Sequence, residues 1–187
     1  MDNLHKSAIR GLLLNTCFCI YYTFTGIVSR SWWLSTLGCY YLMLSILRFL
    51  VVAIRKREGR IKKIAGVIMM LMTIPLIGTV VLAVVKDRGK QLHEIIMITV
   101  ALYAFAKITL AAINLIKAKH GESDRWLTLR NISFAEAVVS IFALQRSMLV
   151  SFEGMSASQI QIMNTATGAG VCAIVFLLGL NLIKRNS

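Results

Sequence analysis

Arg48, Lys107, Glu136, Gln145 and Arg146 are the residues whose types could do chemistry, because each interrupts a long apolar run. Three of them share one stretch, NISFAEAVVSIFALQRSMLVSF, residues 131 to 152. A charge at the centre of a membrane-spanning helix costs about 2.5 to 3.5 kcal/mol, so such groups turn toward a bundle interior and find partners there. Glu136 is the acid of the set, and Arg48, Lys107 or both are its expected counter-ions. Cations outnumber the acid, a balance that suits an anionic solute.

Spacing gives each group a depth. Glu136 lies about 7 Å from the inner end of its span and Arg48 about 9 Å from the inner end of its own, so the two are level. Lys107 sits closer to mid-span, with a stem long enough to reach toward Glu136. Arg146 lies roughly 15 Å along the same helix from Glu136, too far to pair with it; with Gln145 and Ser147 it marks a polar region near the outer face. In the alternative reading, Arg48 and Arg146 extend separately to opposite surfaces and Glu136 rests among the inner headgroups. Asn15, Thr16, Thr23 and Thr25 in the first run, with Asn164, Thr165 and Thr167 in the last, add uncharged groups suited to hydrogen bonds between helices.

The elements that must position these groups follow from composition. The chain has 187 residues, 57% hydrophobic and 16% charged, with one proline, and a mean hydropathy of +0.72. Soluble domains are less apolar and more charged, so a membrane protein is expected. Six apolar blocks each approach the ~20 residues that a spanning helix needs: 9–28, 33–54, 64–85, 95–116, 132–150 and 160–183. They greatly exceed the roughly 10 residues of a barrel strand and show no strict alternation. The expected fold is all-α: one domain over residues 1–187, a polytopic transmembrane bundle of six spans arranged as three hairpins.

The formal charge of +13 suggests topology rather than nucleic acid, because the basic residues sit between apolar blocks. They concentrate at both chain ends, in RKREGRIKK (residues 55–63) and in the segment from Lys117 to Arg130, while the alternate connections hold few. The positive-inside rule then places both termini in the cytoplasm. RKREGRIKK could also attract anionic headgroups. Trp32 and Trp33 are expected at the outer interface and Trp126 at the inner one.

Packing signals are also present. Thr165, Ala169 and Ala173 form one small-residue stripe and Ala166 and Gly170 another, and both are expected to close the bundle. Pro75 should kink the third span. At an offset of 62, the second block lies over the fourth with Tyr41 on Tyr103, a faint repeat that general span composition would also produce.

Catalysis is not expected. HEIIM at His93 lacks the second histidine of a zinc-protease helix, and no nucleophile elbow, phosphate loop or paired intramembrane acids occur. Cys17, Cys19, Cys39 and Cys172 have no metal-ligand spacing and read as packing residues. No cofactor, metal or nucleic-acid partner is expected; the bilayer and a small solute are.

The segments SRSWWLSTLGCYYLMLSILRF, FAEAVVSIFALQRSML and MNTATGAGV resemble those of an uncharacterised family of small six-span bacterial integral membrane proteins. The resemblance runs from the first hairpin to the last helix. It implies a multi-pass protein of the bacterial plasma membrane and carries no function with it.

Two functional readings remain open. One is a protein that binds or transports a small solute along a polar seam of Arg48, Lys107, Glu136, Gln145 and Arg146. The other is a non-catalytic structural or regulatory subunit whose buried charges only fix helix packing. A continuous cavity at these side chains would favour the first, and tight pairing without room the second.

Overall fold

The computed structural model describes residues 2–53, 58–85, 94–117, 124–151 and 156–184. His93, His120, Glu153 and several of the basic residues used to orient the chain lie outside the described residues. The helices are α1 (Asp2–Val28), α2 (Trp32–Ala53), α3 (Glu58–Leu71), α4 (Thr73–Val85), α5 (Glu94–Lys117), α6 (Asp124–Ser151) and α7 (Ala157–Lys184), and no strand occurs among the described residues. Gly11–Val28, Trp32–Ala53, Ile61–Val85, Arg125–Leu149 and Ala157–Lys184 are long and apolar enough to cross a membrane, and α5 contributes the shorter apolar stretch Met97–Ile113.

The distribution of apolar side chains is that of a protein solvated by lipid. Ile9, Phe24, Phe49, Ile74, Phe105 and Leu177 point outward and are exposed, a quantity of apolar surface that a soluble monomer does not tolerate. Arg48, Lys107, Glu136 and Arg146 point inward and are buried. Length, composition and this inversion agree on a helical membrane protein.

Proline explains the break between α3 and α4. Pro75 has no N–H to give to the carbonyl of Leu71, and its ring crowds that carbonyl. Helix α3 ends at Leu71 and α4 resumes at Thr73. Around the gap, Met72 N–H donates to Ile68 O at 2.8 Å and Leu76 N–H to Met72 O at 3.3 Å, so the two pieces continue one apolar stretch, Ile61–Val85. The helix is interrupted where the missing proline hydrogen bond falls.

Between α1 and α2 the chain turns within three residues. Ser31 N–H donates to Gly26 O at 2.9 Å, and Arg30 adopts φ 49°. This is a Schellman-type end, in which the left-handed position usually falls to glycine. The resulting hairpin packs α2 antiparallel along α1, with Gly26 against Ser35 and Gly38 against Thr23.

The expectation of three sequential hairpins is corrected by the packing. The span formed by α3 and α4 lies chiefly against α7, and α5 lies chiefly against α6. Gly66 and Gly179 account for the first pairing: a Cβ on Gly66 would stand 2.8 Å from Gly179 O, and one on Gly179 would stand 2.9 Å from Gly66 O. Further along, Gly168 gives room to Val80. Backbones this close need glycine on both sides.

The same contacts overturn the expected role of the small-residue stripes on α7. Thr165, Ala166, Ala169, Gly170 and Ala173 are exposed. The buried face is Asn164, Gly168, Val171, Val175, Gly179 and Leu182. Helix α7 turns inward the face on which Gly168 and Gly179 admit its neighbours. Trp33 also departs from expectation. It is 1% exposed inside the bundle, whereas Trp32 beside it is 70% exposed, because consecutive residues point about 100° apart around a helix.

Candidate functional site

Helix α6 lays down the floor of the site. Ser133, Glu136, Ser140 and Ser147 recur at spacings of three, four and seven, which places them on one face. The hydroxyls of Ser140 and Ser147 donate to the carbonyls of Glu136 and Ala143 one turn back, at 2.7 and 2.8 Å. Short polar side chains thereby satisfy themselves within the helix and remain compatible with an apolar surrounding.

Glu136, 1% exposed, is the hub. Its Oε2 accepts from Lys107 Nζ of α5 at 2.7 Å and from Arg48 Nη2 of α2 at 3.0 Å. Its Oε1 accepts from Asn15 Nδ2 of α1 at 2.6 Å. Arg48 Nη2 also donates to Ser133 Oγ at 2.9 Å. Lys107 Nζ donates to Asn15 Oδ1 as well, and Tyr103 O–H reaches the same oxygen at 3.4 Å. Four helices therefore meet on one carboxylate. The reading in which Glu136 sits among headgroups and Arg48 extends alone to a surface does not describe the molecule.

Arg48 needs space beside α1, and Gly11 supplies it. A Cβ on Gly11 would fall 1.6 Å from Arg48 Nη1. Removing a charge from water costs several kcal/mol per ion, and attraction inside the protein offsets this only when geometry and hydrogen bonding are good. Here Glu136 receives donors on both oxygens. With its members ionised the cluster still has two cations and one acid. Arg48 Nε is buried and makes no hydrogen bond.

Aromatic rings extend from the cluster. Phe18 stacks on Tyr103 at 3.7 Å between centroids, Tyr103 meets Tyr41 edge-on at 5.3 Å, and Tyr41 stacks on Tyr22 at 5.7 Å. Lys107 Nζ lies 5.4 Å from the centre of the Tyr103 ring. Tyr41 O–H and Ser140 Oγ are 2.9 Å apart; since Ser140 gives its proton to Glu136 O, Tyr41 is the donor. Tyr41 and Tyr103, which coincide in the faint repeat, thus come into contact.

Arg146 belongs to a different place. Its guanidinium lies 4.3 Å from the centre of the Trp33 ring, a cation–π contact between α6 and α2. Gln145 is partly exposed beside it. On neighbouring elements Trp33 Nε1, Tyr40 O–H and Asn164 Oδ1 are buried and make no hydrogen bond. Of the expected seam residues, then, Arg48, Lys107 and Glu136 form one cluster, and Arg146 stands apart with Trp33.

Sequence reasoning placed Asn15 only among general hydrogen-bonding groups and gave Gly11, Ser133, Tyr41 and Tyr103 no part in the cluster. Asn15 was within reach of the same depth count that paired Glu136 with Arg48, since it lies six residues into the first apolar block, about 9 Å. Nothing in the sequence marks Gly11.

The residues offer oxygen and nitrogen donors already committed to one another. Among the described residues no group of His, Cys, Asp and Glu is arranged to hold a metal ion. No known protein-family model matches the chain, and no curated protein is similar to it in sequence.

Proposed function

We propose that this chain is a six-span protein of the bacterial plasma membrane, with both termini in the cytoplasm, that binds or passes a small anionic solute without catalysing a reaction. The observation that carries the reading is the charge balance of the buried cluster. Arg48 and Lys107 face one carboxylate, Glu136, and Arg48 Nε retains an unused donor in a buried position. An anion supplies both the missing charge and the missing acceptor. In a setting of low dielectric that complement is worth more than in water. Trp33 Nε1, Tyr40 O–H and Asn164 Oδ1 are further buried polar atoms without a hydrogen bond.

The test is thermal unfolding of the purified chain across a series of small anions: chloride, phosphate, sulfate and simple carboxylates. At least one should raise the midpoint, and Lys107→Gln, which removes the excess charge, should abolish the rise. Midpoints indifferent to every anion would end the proposal.

A second reading is favoured by a specific observation. Both oxygens of Glu136 are occupied by protein donors, and an open groove of about 580 Å³ elsewhere in the fold is apolar and is lined by none of the charged residues. Tight pairing of this kind suits a structural or regulatory subunit in which the cluster locks α1, α2, α5 and α6 in register. In that case Lys107→Gln lowers stability equally with and without anions.

A further inference from the structure

Helices α3 and α4 present a face that the bundle leaves open. Lys63, Val67, Met70, Leu71, Ile74 and Ile77 recur at helical spacing, and all but the half-buried Met70 are exposed. With Phe176 and Ile183 of α7, the apolar members of this face line the groove of about 580 Å³.

The register of the two spans fixes what stands at its mouth. Gly66 lies against Gly179, and Val80 against Gly168, so α7 runs antiparallel to α3 and α4. Lys63, one turn before Val67, is therefore level with the last turn of α7, where Ile183 lines the groove and Lys184 is exposed. From Val67 to Ile77 the groove runs about 15 Å, half of the roughly 30 Å hydrocarbon core and thus one leaflet deep.

We propose that this groove holds one acyl chain of an anionic glycerophospholipid, with the headgroup phosphate between Lys63 and Lys184. The apolar walls match a hydrocarbon chain, the length matches one leaflet, and two exposed cations at the basic end match a phosphate. A second copy of the chain fits less well, because a symmetric approach on this face sets the same lysines against each other. The site is separate from the Glu136 cluster and does not depend on the solute reading.

The full chain is purified in mild detergent, exchanged with phosphatidylglycerol or phosphatidylcholine, and its lipid adducts are read by native mass spectrometry. A phosphatidylglycerol adduct should persist and the phosphatidylcholine adduct should be weaker. Lys63→Gln and Lys184→Gln should each lower retention about fivefold, the share of one basic side chain at an anionic surface. Ile74→Trp fills the groove and should remove the adduct with both lysines intact; Val67→Phe serves the same purpose if Ile74→Trp does not fold. No preference for phosphatidylglycerol, indifference to the lysines, or full retention in the filled-groove variant overturns the proposal.

Discussion

Asn15 on α1 donates its amide to Glu136 Oε1 across 2.6 Å, and it does so while its own carbonyl oxygen accepts from Lys107. A single uncharged side chain thus joins the acid to one of its bases and ties the first helix to the fifth and sixth. Asn15→Ala leaves one carboxylate oxygen without its donor, which should cost about 1 to 3 kcal/mol. Thermal unfolding in detergent gives the measurement, with Thr16→Ala, on the exposed side of the same turn, as the comparison.

Glu136→Gln should be more severe. It leaves Arg48 and Lys107 buried without a counter-charge, and breaking a buried pair from one side costs about 3 to 5 kcal/mol. Glu153→Gln, in the connection between α6 and α7, should change the folded yield little. Equal tolerance of the two substitutions would remove the central role given to the cluster.

Gly11→Ala tests whether the guanidinium is held in place. The new methyl group falls on Arg48 Nη1, whose neighbour Nη2 is fixed by Glu136 and Ser133, so the arginine cannot simply swing aside. A loss of about 1 to 3 kcal/mol is expected. Gly170→Ala, whose Cβ meets nothing within 4 Å, should be neutral or stabilising by up to about 1 kcal/mol through helix propensity.

At the turn between α1 and α2, Arg30→Gly should stabilise. The left-handed conformation of Arg30 costs an L side chain about 1 to 2 kcal/mol, which glycine does not incur. A higher unfolding midpoint checks this.

Trp33→Leu removes the ring beneath Arg146. The lost cation–π contact, desolvated here, is worth about 2 kcal/mol beyond the change in packing. A double-mutant cycle with Arg146→Met isolates it, and additivity within about 0.5 kcal/mol would show that the contact contributes nothing.

The sequence determined the helices and the depths. Apolar runs of spanning length mark where helices must form, since backbone groups in lipid have to be satisfied within the segment. A fixed rise per residue turns position into depth, so Glu136 and Arg48 could be matched across spans far apart in the chain, and Pro75 marked the break between α3 and α4. Which helices are neighbours, and which way each is rotated, was decided only by tertiary packing. The third span lies on α7 because Gly66 and Gly179 permit contact there, although the stripe of Thr165, Ala169 and Ala173 follows the same small-residue rule and faces outward. Trp33 and Trp32 read alike in sequence and part company by one helical step. Depth is local and additive along a chain, whereas rotation and partner choice depend on how all the surfaces fit at once.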